Sequence, residues 1–365
     1  MNTPVFTRRR FMGGVAATAT ALVAAQAARL SAAPAPDAPA PHVHGHAMPH
    51  SVEGAGTMGG VDHVRNGFDP LALLKDFNYG DKVYEEQGRT VREYTIAAVD
   101  RDIEDAPGVH FPAWTYNERV PGPTIRCTEG DLLRIRFINA GSHPHTMHFH
   151  GVHPASMDGV VHSGMHARDL PFDMVGPGQI EPGAEFTYEF EAEPFGCHLY
   201  HCHAAPLKRH VFKGLYGAFI IDPPGGRPPA NEMVMVMNAF DTNMDGANEV
   251  YAVNSIAFGY IEQPIPIKVG ELVRIYLINI TEFDPINSFH LHAEFFNYYD
   301  HGTSLEPTLR KVDTITQCQA QRGILEFRYK YPGLYMFHAH QTEFTELGWM
   351  GTFLVTEGDD GHGAR

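Results

Sequence analysis

A pattern that occurs twice in the chain constrains its fold more than any other feature. The segment 130–139 (GDLLRIRFIN) returns as 270–279 (GELVRIYLIN), and both copies show the apolar alternation of a half-buried β-strand. Each copy is followed by two His-x-His motifs and closes on a further apolar strand, at 216–221 and at 350–355. The chain is therefore expected to contain two copies of one β-domain.

The composition between these motifs also favours β-structure. Glycine and proline are frequent, with 36 and 27 residues, and short apolar runs separated by turn residues are typical of a β-sandwich or a Greek-key barrel. We predict an all-β chain with domain 1 at 78–225 and domain 2 at 226–358, followed by a tail at 359–365. The run Pro-Pro-Gly-Gly at 223–226 marks the boundary between the domains.

The first 33 residues are predicted to be an export signal. TRRRFM at 7–12 matches the twin-arginine pattern, and a mildly apolar stretch follows at 13–28. That stretch is too short and too rich in alanine and threonine for a membrane anchor. We expect a periplasmic or secreted protein that is not bound to the membrane once the signal is removed.

Residues 34–77 are predicted to be a flexible linker that is rich in histidine, proline and glycine. The histidines in its first part either belong to a disordered segment or collect copper weakly. They are His42, His44, His46 and His50. The formal net charge of -16, from 27 basic and 43 acidic residues, argues against nucleic acid as a partner.

Four His-x-His motifs are the strongest indication of function. Residues i and i+2 of a strand lie on the same face, so each motif directs two imidazoles to one place. Eight imidazoles are more than one metal ion binds, and a metal cluster is expected. The eight histidines are His148, His150, His201, His203, His290, His292, His338 and His340.

A cysteine inside one motif selects copper among the metals that imidazole binds. Cys202 lies between His201 and His203, so its thiolate points to the opposite face of the strand. His145 and His210 complete a set of two histidines and one cysteine, which is typical of blue-copper sites. An electron then passes from the blue copper to the cluster through a few covalent bonds of the chain.

The second repeat lacks all three blue-copper ligands. Asn287 stands at the position of His145, and Ala339 stands at the position of Cys202. The position of His210 falls on Phe344 or on Leu347, depending on where the gap is placed. Domain 2 is therefore expected to contribute to the cluster alone.

With these motifs the chain resembles the two-domain multicopper oxidases that carry type 1 copper in domain 1 only. VPGPTI at 120–125, HFHG at 148–151 and HCH at 201–203 match motifs of that family. The resemblance implies cupredoxin-like Greek-key barrels and four coppers per chain. It also implies that four one-electron oxidations of a reductant reduce O2 to two waters.

The resemblance also assigns the cluster ligands. It implies that His148 and His290 bind the type 2 copper. It implies that the type 3 pair is bound by His150, His201, His203, His292, His338 and His340.

One departure from the family pattern keeps an alternative open. The insert at 204–209, between Cys202 and His210, resembles that of copper nitrite reductases, which are also two-domain cupredoxins. Those enzymes keep an aspartate where His148 stands and lack the second histidine of the motif at 201–203. Both histidines are present here, which favours oxygen chemistry.

The reductant is less constrained by the sequence. Laccase-like enzymes take phenols and aromatic amines at the exposed edge of a type 1 histidine, here His145 or His210. The motifs are compatible with either a small organic molecule or a metal ion as the reductant. The alternatives are a nitrite reductase and a cuprous oxidase or copper-tolerance protein.

Further residues are predicted to tune or support these centres. Oxygen reduction consumes protons, and Asp158, Asp300 and Glu343 follow the His-x-His motifs closely enough to be candidate proton relays. Leu215 lies five residues after His210, where blue-copper proteins often have an axial methionine. Its side chain has no donor atom, which predicts a high type 1 potential.

The division of ligands predicts how chains assemble. Each domain offers four cluster histidines, and a head-to-tail ring lets domain 1 of one subunit face domain 2 of the next. We predict a homotrimer with clusters at its interfaces. Cys127, Cys197 and Cys318 are an odd set for which no disulfide pairing can be assigned.

Overall fold

A computed structural model describes residues 58–160 and 169–358. The predicted export signal, the histidines of the segment 34–57 and the tail at 359–365 lie outside the described residues. Strands in four sheets make up most of the regular structure of the described part, which confirms the all-β fold class. None of its helices is both long and apolar enough to cross a membrane.

Ten strands in two sheets form domain 1. They are β1 (Phe77–Asn78), β2 (Lys82–Glu86), β3 (Arg89–Ala106), β4 (Val109–Tyr116), β5 (Thr124–Thr128), β6 (Leu132–Asn139), β7 (His148–Phe149), β8 (Glu185–Glu191), β9 (Gly196–His201) and β10 (Tyr216–Asp222). One sheet has the order β1-β5-β10-β9-β7, and the other has the order β2-β3-β6-β8 with β4 paired to β3.

Eleven strands in two further sheets form domain 2. They are β11 (Asn231–Phe240), β12 (Val250–Val253), β13 (Gln263–Lys268), β14 (Val273–Asn279), β15 (Ile286–Leu291), β16 (Phe296–Asp300), β17 (Leu309–Val312), β18 (Thr314–Cys318), β19 (Arg322–Phe327), β20 (Gly333–His338) and β21 (Met350–Thr356). Their orders are β12-β11-β14-β19-β16-β17 and β13-β21-β20-β15-β18.

The repeat found in the sequence is also present in the strand pairing. β6 runs parallel to β3 and antiparallel to β8, and β14 runs parallel to β11 and antiparallel to β19. In the other sheet of each domain, β9 pairs with β10 and β20 pairs with β21, both antiparallel. The expected half-buried alternation holds in β6, but every residue of β14 is buried, because Tyr276 and Ile278 on its other face belong to the core that is shared with domain 1.

Short helices precede the first strand and lie between later strands. They are α1 (His63–Asn66), α2 (Pro70–Leu73), α3 (Phe172–Val175), α4 (Leu207–Phe212), α5 (Gly259–Glu262) and α6 (Thr342–Glu346), with a 3-10 turn at Ala155–Met157. α4 and α6 occupy the same place in the two repeats, directly after the second His-x-His motif. Both lead into the last strand of their domain.

Residues 58–77 correct the prediction of a flexible linker that extends to residue 77. Asp62 and Asp69 cap α1 and α2 through their side-chain oxygens, and Phe68 and Leu73 are buried in the core. β1 extends the sheet of domain 1 by pairing with β5. The polar and glycine-rich composition hid the capping residues and the few apolar side chains that anchor this segment.

The two domains share an apolar core. Leu199 and Ile220, from the β9–β10 face of domain 1, belong to the same buried cluster as Val234 and Tyr276 of domain 2. Arg126 of domain 1 is also paired with Glu232 of domain 2 at 2.7 Å. One sheet of domain 1 is therefore covered by domain 2 within the chain.

A carboxyl group is buried at this interface without a hydrogen-bond partner. Asp105 lies where the β3–β4 register shifts, and its backbone carbonyl accepts a hydrogen bond from the Ala257 amide at 2.8 Å. Its side chain is 0% exposed, and neither carboxyl oxygen has a partner of good geometry. Burial raises the pKa of Asp105 to about 8, because the charged form is disfavoured in the apolar interior. Nearby backbone amides lower this pKa in part, and the charges of Glu104 and Glu249 raise it.

Candidate metal centres

Three buried side chains of domain 1 converge on one point. Cys202 Sγ lies 3.3 Å from His210 Nδ1 and 4.0 Å from His145 Nδ1, and these two nitrogens are 3.1 Å apart. The ligands come from separate parts of the chain, since Cys202 follows β9, His210 lies on α4, and His145 precedes β7. One thiolate and two imidazoles in this arrangement fit a type 1 copper.

The surroundings of this point favour metal binding at neutral pH. Burial lowers the pKa of His145 to about 3 and that of His210 to about 4, so both imidazoles are neutral and can donate a lone pair. Burial also raises the pKa of Cys202 to about 11. Copper binding must therefore displace the thiol proton, and the amide of Thr146, 3.3 Å from Sγ, helps to stabilise the resulting thiolate.

Leu215 lies close to this centre in the chain and in space. Its carbonyl accepts a hydrogen bond from the Cys202 amide at 2.9 Å, and its own amide donates to the His210 carbonyl at 3.3 Å. It is buried in the same apolar cluster as Cys202 and Met147. The side chain excludes water from this region, and its axial position stays a prediction.

Domain 2 has the same backbone arrangement with different side chains. The Ala339 amide donates to the Trp349 carbonyl at 3.2 Å, as Cys202 does to Leu215, and the Trp349 amide donates to the Phe344 carbonyl at 2.8 Å. Phe344, rather than Leu347, therefore occupies the place of the second type 1 histidine.

An indole fills the place that copper would take in domain 2. Trp349 is fully buried, and its Nε1 donates a hydrogen bond to Asn287 Oδ1 at 3.0 Å. Asn287 stands where domain 1 has His145. Each buried polar atom of this pair thus has a partner, and the domain 2 pocket is packed without a metal.

Four histidines of domain 1 form one half of a cluster. His148 lies on β7 opposite His201 of β9, and the ring centroid of His148 is 5.1 Å from those of His150 and His201 and 5.4 Å from that of His203. The Nε2 atoms of His150 and His201 are 3.2 Å apart. Such a group of imidazoles fits copper.

Hydrogen bonds at Nδ1 orient two of these rings. His148 Nδ1 donates to the Asp158 carbonyl at 3.0 Å and to Asp158 Oδ1 at 2.9 Å. His201 Nδ1 donates to the Cys202 carbonyl at 2.9 Å. A proton on Nδ1 leaves the Nε2 lone pair free to bind a metal, and an outer carboxylate makes the imidazole a stronger ligand.

The four histidines of domain 2 repeat this geometry. The ring centroid of His290 lies 5.0 Å from that of His292, 5.3 Å from that of His338 and 5.2 Å from that of His340. The Nε2 atoms of His292 and His338 are 2.9 Å apart. This second group is thus built as the counterpart of the first.

The groups that orient the rings of domain 2 were not predicted from the sequence. His290 Nδ1 donates to the Asp313 carbonyl at 2.9 Å and lies 2.8 Å from Thr314 Oγ1. His338 Nδ1 donates to the carbonyl of Ala339. Asp313 lies between β17 and β18, and Thr314 begins β18. Both are more than twenty residues from His290 along the chain, and no local pattern marks them.

The two half-clusters are separate within one chain. No hydrogen bond or ring contact joins them among the residues that the structure describes. His338 shares its strand face with Leu334, which pairs across β20–β21 with Leu354, and these leucines are 61% and 43% exposed. The half-cluster of domain 2 therefore lies on a sheet face with uncovered apolar side chains.

The three carboxylates predicted as proton relays have different surroundings. Asp158 orients His148, as described above. Asp300 lies 3.2 Å from His301 Nδ1 and accepts from Gln321 Nε2 at 3.3 Å, and Glu343 lies in the first turn of α6. Neither of the last two contacts a cluster histidine in the described part of the chain, and all three relay roles stay predictions.

The type 1 histidines differ from expectation in one respect. An exposed edge was expected on His145 or on His210, but the two residues are 0% and 2% exposed. The indole of Trp114 on β4 covers both, with its ring centroid 5.3 Å from that of His145 and 4.9 Å from that of His210. Trp114 lies thirty residues before the first ligand, where no motif draws attention to it.

Comparisons with known proteins identify the family of this chain. Two multicopper oxidase family models match residues 99–226 and 226–359. A crystal structure of a multicopper oxidase is 55% identical, with a TM-score of 0.76 over 81% of this chain and all of that one. The blue copper oxidase of Nitrosomonas europaea is 28% identical, with a TM-score of 0.61 over 73% of this chain and 86% of that one.

Curated relatives extend the comparison to nitrite reductases. A probable nitrite reductase-hydroxylamine oxidoreductase fusion protein of Kuenenia stuttgartiensis is 31% identical over 279 residues, and a copper-containing nitrite reductase of Neisseria meningitidis is 28% identical over 267 residues. The matches cover 70% and 67% of this chain, but 30% and 64% of those relatives. The chain belongs to the multicopper oxidase family, as a two-domain member that is related to the copper nitrite reductases.

Proposed function

We propose that this protein is a laccase-like oxidase that takes single electrons from phenols or aromatic amines and reduces O2 to water. It would hold four coppers per chain, one at the type 1 site and three in a cluster built from both half-clusters. The observation that carries the proposal is the domain 1 half-cluster, in which His148, His150, His201 and His203 surround one space. Nitrite reductases lack two of these four histidines by the family pattern.

The residues of the chain support electron transfer between the two kinds of site. Bound copper would supply the one-electron redox chemistry. Cys202 is covalently linked to His201, and the hydrogen bond from His201 Nδ1 to the Cys202 carbonyl at 2.9 Å provides a second short connection. The buried thiol and imidazoles keep water away from the type 1 site, and Asp158 holds His148 in a fixed orientation.

A nitrite reductase is the second candidate. It is favoured by the insert between Cys202 and His210 and by the 28% identity to the neisserial enzyme. A nitrite reductase would hold a single further copper in place of the three-copper cluster. The two candidates therefore differ in metal content as well as in substrate.

We also propose that the active form is a homotrimer. Each half-cluster has four histidines and lies apart from the other within the chain, so a complete cluster needs a second subunit. The exposed Leu334 and Leu354 beside His338 supply apolar surface for this contact. Light scattering combined with O2 uptake tests the proposal, and a fully active monomer would contradict it.

One set of measurements separates the two activities. The copper-loaded protein is assayed for copper content, for O2 uptake with a phenol, and for nitrite consumption with a reduced dye. Four coppers per chain and O2 uptake support the oxidase, and two coppers with nitrite consumption support the reductase.

A matched pair of cysteine variants tests the role of the type 1 site. Cys202→Ser is expected to lose the blue absorption band and turnover, because a hydroxyl does not replace the thiolate. Cys197→Ser is the control, since Cys197 is also fully buried but lies in the apolar core between the domains. Retained blue colour in the Cys202 variant would contradict the assignment.

A further inference from the structure

The type 1 histidines are closed off by an indole that itself reaches toward the surface. One side of Trp114 lies against His145 and His210. His143 lies beside it, with ring centroids 4.4 Å apart, and the exposed Arg209 places its guanidinium carbon 5.1 Å from the indole centroid. Trp114 therefore contacts both ligands and also His143 and Arg209 nearer the surface.

Because both ligand rings are buried, a reductant cannot touch either of them directly. Electron tunnelling becomes exponentially slower with the distance between donor and acceptor, and an aromatic ring in van der Waals contact shortens the remaining gap. We propose that electrons reach the type 1 site through Trp114, from a reductant that docks over His143 and Arg209. This inference rests on the proposed copper oxidase function and names the route by which that function is supplied.

The charges around the indole indicate how it acts. Lys213 places its ammonium 5.8 Å from the indole centroid, in addition to the guanidinium of Arg209. Two positive charges disfavour an oxidised indole, because it would carry a positive charge of its own. Trp114 thus acts as a bridge: each reductant molecule loses one electron, the type 1 copper gains it, and the indole keeps its own.

Domain 2 offers a matched control for this role. Tyr251 stacks on Phe344 with centroids 4.1 Å apart, as Trp114 packs on His210. The backbone positions also correspond, since the Trp114 amide donates to the Lys213 carbonyl at 2.8 Å and the Tyr251 amide donates to the Leu347 carbonyl at 3.1 Å. Replacement of Tyr251 disturbs equivalent packing without touching a type 1 ligand.

The shielding is tested first on the metal-free protein, where no activity is involved. Diethyl pyrocarbonate labels accessible imidazoles, and mass spectrometry reports each site. We expect His210 in the parent protein to react much more slowly than His110, which is exposed and far from the proposed copper sites in the sequence. Equal labelling of His210 and His110 would overturn the inference.

The route is tested by anaerobic stopped flow on the copper-loaded protein. Ferrocenemethanol, a neutral one-electron donor, bleaches the blue band, and the rate constant is compared for the parent, Trp114→Leu, Trp114→Phe and Tyr251→Leu. We expect Trp114→Leu to be slower by about tenfold and the other two to stay within about threefold of the parent. The type 1 potential of each variant is measured by redox titration, and the rate constants are compared at equal driving force, because the apolar surroundings of a metal site help to set its potential.

The opposite outcome is equally clear. If Trp114 is only a shield, its removal exposes His210, and Trp114→Leu is reduced as fast as the parent or faster. An equal loss in Tyr251→Leu would also overturn the inference. Neither O2 nor nitrite takes part in this half-reaction, so its result does not depend on which of them the cluster reduces.

Discussion

The buried carboxyl of Asp105 makes the stability of the protein depend on pH in a calculable way. Its pKa rises from 3.8 in an exposed aspartate to about 8 in the folded protein. As pH increases, the unfolded chain releases this proton first, so the stability that Asp105 contributes is fully present below about pH 4 and is lost by about pH 8. Each pH unit within this window costs about 1.4 kcal/mol.

Asp105→Asn removes the titrating group and keeps its shape. From pH 5 to pH 7 the parent should lose about 3 kcal/mol relative to this variant, as two pH units at about 1.4 kcal/mol each. The variant should therefore be the more stable of the two at neutral pH. The variant gains stability because the folded parent must keep Asp105 protonated at a pH at which the unfolded chain has already released the proton.

Urea unfolding of the metal-free proteins at pH 5, 6 and 7 measures the effect without the added linkage of copper binding. Asp102→Asn is the control, because Asp102 is exposed on the same strand. Its stability relative to the parent should not vary with pH. A constant difference between Asp105→Asn and the parent across this range would refute the reasoning.

Three further predictions concern the metal centres and their counterpart in domain 2. Leu215→Met should lower the type 1 potential in a redox titration, and an unchanged or raised potential would show that Leu215 is not axial. Asp158→Asn should weaken copper binding by about 10-fold to 100-fold in competition dialysis, whereas Asp300→Asn should not, because only Asp158 contacts a cluster histidine. Trp349→Ala should cost about 3–5 kcal/mol in urea unfolding, since the indole is fully buried; a loss below about 1 kcal/mol would contradict the packing seen there.

The sequence was sufficient to predict which metal-binding side chains meet. Alternation predicted that His201 and His203 share one face, and their ring centroids lie 5.9 Å apart although β9 ends at His201. Cys202 meets His145 and His210 instead. The internal repeat then placed the second half-cluster in domain 2. These inferences depend on local geometry, which the order of residues determines directly.

Contacts between residues that are far apart in the sequence could not be inferred from local patterns. Trp114 covers His210 only because β4 and α4 meet in three dimensions, and the expectation of an exposed histidine edge failed for that reason. Asp105 has no sequence signature either, since a carboxyl in a strand is normally solvated. Residues 58–77 look polar in composition, but a few apolar side chains anchor them to the core.

The filled pocket of domain 2 makes the difference between the two domains hard to reverse. A type 1 site there would need four changes, Asn287→His, Ala339→Cys, Phe344→His and Trp349→Leu. Taken alone, Trp349→Leu opens a cavity and removes one of the hydrogen bonds that Asn287 Oδ1 accepts, while Ala339→Cys adds volume to a closed core. Either of these changes alone lowers stability before any metal can bind, so the packing of domain 2 disfavours a second type 1 site.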